Sequence, residues 1–166
     1  MILIRVVNKT FLLTGGNLGD RLKNLERAAQ LLEKNCGRMI KRSSVYETAA
    51  WGKTDQANFL NQVLEMETAL TPQLLISEIL KIENLMGRER TEKYGPRIID
   101  IDILFFNDEM INAPGLMIPH PELQNRRFVL IPLAEIAPNL SHPILKKNIV
   151  QLLKDSKDEL EVRVYR

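Results

Sequence analysis

The sequence is poor in the residues that mark several large classes of protein. Cys36 is the single cysteine, so neither an internal disulfide nor a cysteine metal cluster can form. Aromatic residues make up only 5% of the chain and the net charge is +2, a composition that disfavours an RNA-binding sheet surface. No apolar run approaches the length of a membrane span. We therefore expect no nucleic-acid or membrane partner.

The remaining composition is typical of a folded globular protein. Apolar residues account for 45% of the 166 residues and charged residues for 27%, which is enough to bury a sizeable core. We expect residues 1–166 to form a single domain. The segment Met1 to Lys9 is too short for a signal peptide, so we expect a cytoplasmic protein.

The most informative part of the sequence is a strand pattern with two different faces. Ile99, Ile101 and Ile103 alternate with Asp100 and Asp102, and residues two apart on a strand lie on the same face. The two carboxylates are then about 6–7 Å apart at the backbone, where they repel each other unless a cation lies between them. Carboxylate oxygens of this kind suit Mg²⁺. A half-buried edge strand with two solvated aspartates accounts for the same pattern.

Basic residues cluster immediately before this strand. Gly95-Pro96-Arg97 supplies a stiff turn and a guanidinium that can pair with phosphate oxygens in a bidentate manner. The segment 87–94 contains Arg88, Arg90 and Lys93. It is either a solvated surface loop or a lid that brings arginines to phosphates. Carboxylates beside arginines predict phosphoryl chemistry.

The order of the predicted elements indicates an α+β fold. Helical spacing of apolar residues begins after Asp20 and after Thr71-Pro72, both of which are good helix starts. We expect a ferredoxin-like antiparallel sheet with helices packed on it, in three layers of helix, sheet and helix. Residues 2–7 are a candidate partner for the last predicted strand, over 160–165. Strands are expected over 10–14, 38–46, 59–67, 99–103, 110–118 and 160–165, and short helices over 129–136 and 149–153.

Two further features have a structural and a functional interpretation. The glycine-rich segment 15–19 is either a tight strand-to-helix turn or a phosphate cradle, although it matches neither established glycine-rich phosphate motif. Phe59 and Asn61 share one strand face, where an aromatic plane and an amide could hold a heterocycle. Trp51 is either a core residue or part of the same pocket. Glu83, near a helix end, is interpreted from local sequence as a solvent-exposed residue.

With these motifs in view, the chain resembles the 6-hydroxymethyl-7,8-dihydropterin pyrophosphokinase family of folate biosynthesis. The likeness runs from about Thr10 to Leu153. It is most specific in the sequence GPRIIDIDIL, which begins at Gly95. Supporting motifs follow in the same order as in the family, namely GNLGD from Gly16, SVYET from Ser44, NFLN from Asn58, GRER from Gly87, PHP from Pro119 and NRRF from Asn125.

The resemblance implies that the protein transfers diphosphate from ATP to the hydroxymethyl group of 6-hydroxymethyl-7,8-dihydropterin, giving AMP and the pterin diphosphate. It implies ATP as co-substrate, two Mg²⁺ ions held by Asp100 and Asp102, and a monomer that acts on small molecules. The expected catalytic residues are Arg90, Arg97, Asp100 and Asp102. The expected nucleotide contacts are Glu83, Arg88, Arg90, Arg97, Ile103, His120 and Arg126. The expected pterin contacts are Thr48, Ala49, Trp51, Phe59, Asn61, Asp100 and Phe128, with the ring clamped between Phe59 and Phe128.

This sequence departs from the family pattern at several positions without losing a charge that the chemistry needs. Ala49 and Ala50 replace frequent prolines, Phe59 replaces a frequent tyrosine, and Tyr94 stands where tryptophan is common. Gly16 stands in the place of a usual serine.

Two other functions remain compatible with the residues themselves. Ferredoxin-like sheets also serve as non-enzymatic binding modules for RNA or small effectors. A metal-dependent phosphoesterase could use the same two aspartates without a pterin acceptor. Formation of AMP rather than ADP, from ATP, Mg²⁺ and the pterin, distinguishes the pyrophosphokinase from both.

Overall fold

The computed structural model describes residues 6–52, 54–89 and 92–166. A single turn of 3-10 helix at Leu123–Asn125 precedes the helix that begins at Arg127. None of the described helices is both long and apolar enough to span a bilayer. The strands are β1 (Asn8–Gly16), β2 (Arg38–Arg42), β3 (Tyr46–Thr48), β4 (Phe59–Thr68), β5 (Asp100–Phe106), β6 (Ile111–Ala113), β7 (Leu116–Ile118) and β8 (Val162–Val164). The helices are α1 (Arg21–Asn35), α2 (Pro72–Leu85), α3 (Arg127–Ile136) and α4 (Ile149–Asp155).

Six of these strands form one antiparallel sheet within the described residues. The order is β5-β1-β4-β3-β8, and β2 pairs with a different part of β4. Strands β1 and β4 are therefore central, and β5 lies beside β1. Helices α1 and α2 cover one face of the sheet, while α3 and α4 cover the other. The predicted α+β class and three-layer arrangement are confirmed.

The first core lies between the sheet and the pair α1 and α2. Both helices begin where the sequence predicted, because the Asp20 side chain accepts a hydrogen bond from the Lys23 N–H and the Thr71 hydroxyl accepts one from the Leu74 N–H. Each helix then presents apolar residues at helical spacing toward the sheet. The buried residues of this face are Leu25, Ala28, Ala29 and Leu32 from α1 and Leu75, Ile79 and Ile82 from α2.

The second core lies on the opposite face, and strand alternation separates the two. In β4, Leu60 and Leu64 pack in the first core whereas Val63 packs in the second, under α3 and α4. Phe59 and Asn61 share the face of Val63 but lie at the start of the strand, where they line an open cavity instead of the core. The predicted face for this aromatic and amide pair is confirmed.

The predicted strand over 38–46 is wrong in its extent. Strand β2 ends at Arg42 and a new strand, β3, runs from Tyr46 to Thr48. Between them, Ser43 interrupts the ladder because its hydroxyl accepts the hydrogen bond from the Val63 N–H (3.0 Å) that a strand carbonyl would take. The Ser44 N–H donates to the Glu135 carboxylate on α3 (2.9 Å). These long-range contacts split one expected strand into two.

Two other predicted strands also need correction. Residues 110–118 form a separate two-stranded hairpin, β6 and β7, because Pro114 and Gly115 turn the chain back instead of only interrupting an edge strand. The last strand, β8, is shorter than expected, at Val162–Val164, and it pairs with β3. Val6 and Val7 are exposed and lie outside any strand, and residues 1–5 lie outside the described part of the chain.

Candidate active site

A cavity of about 540 Å³ opens where β1 and β3 end and where β4 and β5 begin, beside the N-terminus of α3. Its polar side comes from β5 and the loop before it, and its aromatic side comes from β4, α3 and the loop after β3. The predicted site residues that line it are Thr48, Ala49, Trp51, Phe59, Asn61, Arg88, Arg97, Asp100, Asp102, His120, Arg126 and Phe128. The cavity thus brings together residues from six of the seven sequence motifs.

Three predicted site residues are not part of this lining. Arg90 lies outside the described residues. Glu83 and Ile103 are both buried beneath the cavity wall. Ile103 lines a second cavity, of about 610 Å³, which lies on the other side of Asp102.

The local-sequence interpretation of Glu83 as a solvent-exposed residue is wrong, since only 2% of it is exposed. Its carboxylate accepts hydrogen bonds from the Arg88 guanidinium at 2.6 Å and from the Ile101 N–H at 2.8 Å. Burial raises the pKa of Glu83, while the Ile101 N–H and Arg88 act in the opposite direction. Glu83 therefore ties the end of α2 to the start of β5 and fixes the position of Arg88.

The two aspartates of β5 share a face but have different surroundings. Asp100 pairs with the Arg88 guanidinium at 2.8 Å and with the Arg97 guanidinium at 3.0 Å. For Asp102, burial, together with the nearby Asp100 and Glu83 carboxylates, raises the pKa to about 7. The surroundings of Asp102 therefore disfavour its charged form, whereas Asp100 is paired with two guanidinium groups.

His120 lies beside Asp102, a proximity that the sequence did not reveal. Its Nε2 is 4.0 Å from the Asp102 carboxylate, and its Nδ1 accepts a hydrogen bond from the Glu122 N–H at 3.1 Å. Burial and the positive charge of Arg126 lower the pKa of His120 to about 4. The imidazole is therefore neutral at physiological pH and presents Nε2–H to the cavity.

Two arginines lie on the aromatic planes that the resemblance assigns to the ring clamp. The Arg97 guanidinium is 5.1 Å from the centre of the Phe59 ring. The Arg126 guanidinium is 4.8 Å from Trp51 and 5.9 Å from Phe128. Both arginines carry a buried Nε atom without a hydrogen-bond partner among the described residues. These are positive groups held by aromatic faces, with donor capacity left for an anion.

The amide side of the cavity is held by close packing against β1. Asn61 donates a hydrogen bond from Nδ2 to the Thr48 hydroxyl at 3.3 Å. Gly15, opposite Asn61 in the sheet, leaves no room for a Cβ, which would collide with the Asn61 Oδ1. Gly15 was expected in the turn, but β1 continues through Gly16. Gly15 therefore sets the position of a predicted pterin contact from the neighbouring strand.

The rest of the glycine-rich segment binds protein backbone. The Asn17 and Leu18 N–H groups donate to the Arg97 carbonyl at 3.0 and 3.2 Å, and the Arg97 N–H donates to the Asn17 side chain at 2.9 Å. This arrangement favours the tight-turn interpretation over the phosphate cradle. It also explains how Arg97 is positioned, a role for Asn17 that only the three-dimensional contacts reveal.

Tyr94 and Trp51 form the outer rim of the cavity. Their rings meet edge to face with centroids 5.6 Å apart, and the Tyr94 carbonyl accepts a hydrogen bond from Gln56 at 2.6 Å. Trp51 is half-buried in this position, so the pocket interpretation describes its location better than the core interpretation. Tyr94 was singled out in the sequence only as a departure from the family, and its contact with Trp51 could not be read from spacing.

The carboxylates fit a magnesium site in chemistry, although they do not make a complete one. Asp100 and Asp102 offer hard oxygen ligands on one strand face, beside arginines that suit phosphate. Among the described residues, no group of three or more histidine, cysteine, aspartate or glutamate side chains could hold a metal ion. Mg²⁺ usually takes one or two carboxylates and completes its shell with water and substrate phosphates, so this donor set fits it.

Comparison with known proteins gives a consistent result. The family model described as 7,8-dihydro-6-hydroxymethylpterin-pyrophosphokinase (HPPK) matches residues 11–138. The chain is 47% identical over 133 residues to a 2-amino-4-hydroxy-6-hydroxymethyldihydropteridine pyrophosphokinase of Aquifex aeolicus, covering 80% of this chain and 82% of that protein. It is 45% identical over 130 residues to the protein of the same name from Bacillus subtilis, covering 78% of each.

Solved structures agree on the fold. A crystal structure of Plasmodium falciparum HPPK-DHPS superposes with a TM-score of 0.76 at 23% identity, covering 92% of this chain and 44% of that one. The chain thus spans less than half the length of these solved relatives. The likeness extends the match across both helical layers and the sheet between them.

Proposed function

The chain belongs to the 7,8-dihydro-6-hydroxymethylpterin-pyrophosphokinase family, and from this premise we propose that it transfers diphosphate from ATP to the hydroxymethyl group of 6-hydroxymethyl-7,8-dihydropterin. The products are AMP and the pterin diphosphate, in a step of folate biosynthesis. The observation that carries the proposal is the single cavity in which aromatic planes and an amide adjoin paired aspartates and arginines. A pterin needs the first set and a triphosphate needs the second.

The pterin is assigned to the side of the cavity between Phe59 and Phe128. A flat ring stacks favourably on such planes, and the Asn61 carboxamide offers both a donor and an acceptor to the ring edge. Thr48 holds that carboxamide in place. Bound in this way, the ring directs its hydroxymethyl group toward β5, where Asp100 and Asp102 line the same cavity.

The triphosphate is assigned to the arginine side. Arg97 and Arg126 each have a buried donor atom still to be satisfied, and Arg88 is held at the wall by Glu83. Arg90 is assigned to the same role from the family motif. Guanidinium groups bind phosphate oxygens strongly and in a defined orientation. Their charge stabilises the transferring group as negative charge spreads over its oxygens.

The second cavity is assigned to the nucleoside part of ATP. It shares Asp102 and His120 with the first cavity and is otherwise lined largely by apolar residues, including Ile76, Ile103 and Leu116. An apolar cleft with few polar groups suits an adenine ring. The phosphates of a nucleotide bound there would pass Asp102 and enter the first cavity.

Asp100 and Asp102 are assigned as ligands for two Mg²⁺ ions. When bound, Mg²⁺ supplies positive charge to both the attacking and the leaving oxygens of an in-line displacement. The bond that forms joins the pterin hydroxymethyl oxygen to the β-phosphorus of ATP, and the bond that breaks joins that phosphorus to the oxygen retained by AMP. Glu83 contributes by accepting hydrogen bonds from Arg88 and from the Ile101 N–H near the start of β5.

The proposal treats residues 1–166 as one catalytic domain that acts as a cytoplasmic monomer on small molecules. Its test is to incubate the protein with ATP, Mg²⁺ and the pterin, and to quantify nucleotides and pterins by chromatography. We expect AMP and pterin diphosphate in equal amounts. A matched control uses 6-methyl-7,8-dihydropterin, which keeps the ring but lacks the attacking oxygen and should release no AMP. ADP, or orthophosphate formed without the pterin, would contradict the proposal.

A further inference from the structure

The segment 156–166, which follows α4, contacts both walls of the cavity although it lies beyond the residues that match the family. We propose that this segment, called the strap below, positions the pterin pocket by holding the wall formed by β3 and β4 against the wall formed by α3. The inference rests on the proposed function in that it names the ligand whose binding depends on the strap.

The first contact is with the N-terminus of α3. The N–H of Arg127, the first residue of this helix, donates to the Asp158 carboxylate at 2.8 Å. The Arg126 side chain at the N-cap makes no capping hydrogen bond. Asp158 therefore supplies the side-chain acceptor that the N-cap residue does not supply. A negative charge there also interacts favourably with the helix dipole. Arg127 lies between Arg126 and Phe128, two residues of the cavity lining.

Asp158 is itself held in place by local hydrogen bonds. Its second carboxylate oxygen accepts from the Leu160 N–H at 3.0 Å, and its own N–H donates to the Ser156 hydroxyl at 3.3 Å. The carboxylate is therefore oriented toward α3 by the strap backbone. It is a fixed support for the helix start and not a loosely attached surface charge.

The second contact is with the opposite wall. Strand β8 pairs with β3 along its full length, with Val162 opposite Thr48 and Val164 opposite Tyr46. The Tyr165 N–H continues the pairing by donating to the Val45 carbonyl at 2.8 Å. Thr48 is the residue that accepts the Asn61 hydrogen bond, so the strap reaches the amide side of the pocket through one strand.

Charged residues reinforce this second contact. Arg21 donates to the Glu47 carboxylate at 2.7 Å and to the Asn58 carbonyl at 2.9 Å, and its guanidinium is 5.6 Å from the Tyr165 ring. Arg163 of the strap is 3.8 Å from the same Glu47 carboxylate. Glu47 is thereby linked to the strap on one side and, through Arg21, to the residue just before Phe59 on the other.

The two contacts have one consequence. Phe128 and Asn61 belong to different elements. The strap contacts the start of α3, which carries Phe128, and pairs with β3, which is the neighbour of the strand that carries Asn61. Loss of the Asp158 hydrogen bond should let the start of α3 move relative to β3, which widens the pocket for the pterin while leaving the β5 side unchanged. Asp158 is therefore a positioning residue that touches neither substrate.

The test compares Asp158→Ala with Glu159→Ala in the full chain. Glu159 is the exposed neighbouring acid, so the control removes the same charge from the same segment. We expect Asp158→Ala to raise the pterin KM about three- to tenfold, the range that the loss of a helix cap implies. The kcat at saturation should stay within about twofold of the wild-type value. The KM for ATP should rise less than the pterin KM, because Arg126 is only one of the guanidinium groups assigned to the triphosphate. Glu159→Ala should match the wild type.

Two further variants separate positioning from loss of stability. Asp158→Asn keeps one acceptor oxygen and should recover part of the pterin affinity. Arg127→Pro removes the donor N–H from the helix side at a position where proline is tolerated, and its effect should not add to that of Asp158→Ala. An equal rise in both KM values for Asp158→Ala, or pterin KM values equal to those of Glu159→Ala, would overturn the inference.

Hydrogen exchange provides a measurement that does not depend on the pterin. The amides of 127–130 should exchange faster in Asp158→Ala than in Glu159→Ala. If the wild-type chain does not form pterin diphosphate, the proposed function fails, and unchanged exchange at these amides would then overturn the role of the strap separately.

Discussion

Asp100 and Asp102 are two residues apart on one strand and yet have different electrostatic surroundings. Asp100 is paired with Arg88 and Arg97. Asp102 lies between the two cavities beside His120, and burial raises its pKa. A residue pattern can therefore predict a pair of metal ligands, while the electrostatic surroundings of each depend on groups that arrive from other elements.

We expect Asp102→Asn and Asp100→Asn each to reduce diphosphate transfer by more than about 100-fold, the upper range for losing a group that only supports a metal ligand. Each substitution removes a charge that the metal needs and changes the side-chain volume little. Turnover at saturating Mg²⁺ measures the effect, and thermal unfolding provides the control for the fold. Transfer near the wild-type rate in either variant would remove that aspartate from the proposed metal site.

The space beside Gly15 leads to a second prediction. Gly15→Ala places a methyl group against the Asn61 carboxamide, which must rotate away from its present position. Overpacking of this kind costs about 1–3 kcal/mol, so we expect about tenfold weaker pterin binding, measured by titration calorimetry. In an Asn61→Ala background, where the obstructing group is gone, the same substitution should have little further effect. Equal effects in both backgrounds would show that Gly15 acts elsewhere.

At the scale of elements, sequence patterns identified what local interactions decide. Helix starts at Asp20 and Thr71, the two faces of β4 and the acidic face of β5 all follow from spacing and capping chemistry. The break between β2 and β3 does not, because it depends on Ser43 bonding to Val63 and Ser44 bonding to Glu135. Partners 20 and 91 residues away leave no trace in a local pattern.

The turn between α3 and α4 gives a pH-dependent prediction. His142 is 4% exposed, its Nδ1 accepts from the N–H groups of Ile144 and Leu145, and burial lowers its pKa. The native state thus holds this histidine neutral, whereas the unfolded chain protonates it near its ordinary pKa of about 6.5. Stability from His142 is complete above that pH and is lost as the pH falls below it.

We therefore expect His142→Asn, which retains a side-chain acceptor but does not titrate, to be less sensitive to acid. The free energy of unfolding, measured by urea denaturation from pH 7.5 to pH 5.0, should fall less with decreasing pH in the variant than in the wild type. Other titrating groups contribute equally to both proteins and cancel in the difference. Parallel pH profiles would show that His142 is not held neutral by the fold.

At the scale of the whole molecule, the same two arginines face both halves of the cavity. Arg97 and Arg126 lie on the aromatic faces proposed for the pterin, and the same guanidinium groups are proposed to bind the triphosphate. A nucleotide that draws them onto its phosphates would uncover the aromatic faces. Binding at one side should then favour binding at the other, and by the same factor in both directions.

We expect a non-hydrolysable ATP analogue with Mg²⁺ to strengthen pterin binding about five- to tenfold, since each cation–π contact is worth about 0.5–2 kcal/mol. Calorimetric titration of the pterin with and without the analogue measures the change. In Arg126→Ala, where one aromatic face is already uncovered, the gain should be smaller. A pterin affinity that is independent of the nucleotide would show that these arginines do not obstruct the ring.

Some residues of the candidate site could be predicted from the sequence more readily than others. The resemblance of the motifs to the family predicted most of the residues that line the cavity. Residue type alone could not have done so, because aromatic residues are common in strands and aspartate is common in turns. Glu83 and His120 were harder, since a carboxylate near a helix end and a single histidine have many ordinary explanations. Their surroundings come from β5 and Arg126, which approach only in the folded chain.

Strand β8 also bears on how separate molecules meet. Without it, β3 would present unpaired N–H and C=O groups along the border of the sheet, a surface on which another chain can add a strand and begin to aggregate. Strand β8 occupies that border, and it is itself a poor template because it has only three residues, with an exposed arginine at its centre. The same eleven residues that are proposed to hold the pocket therefore also cover an edge of the sheet on which a second molecule could add a strand.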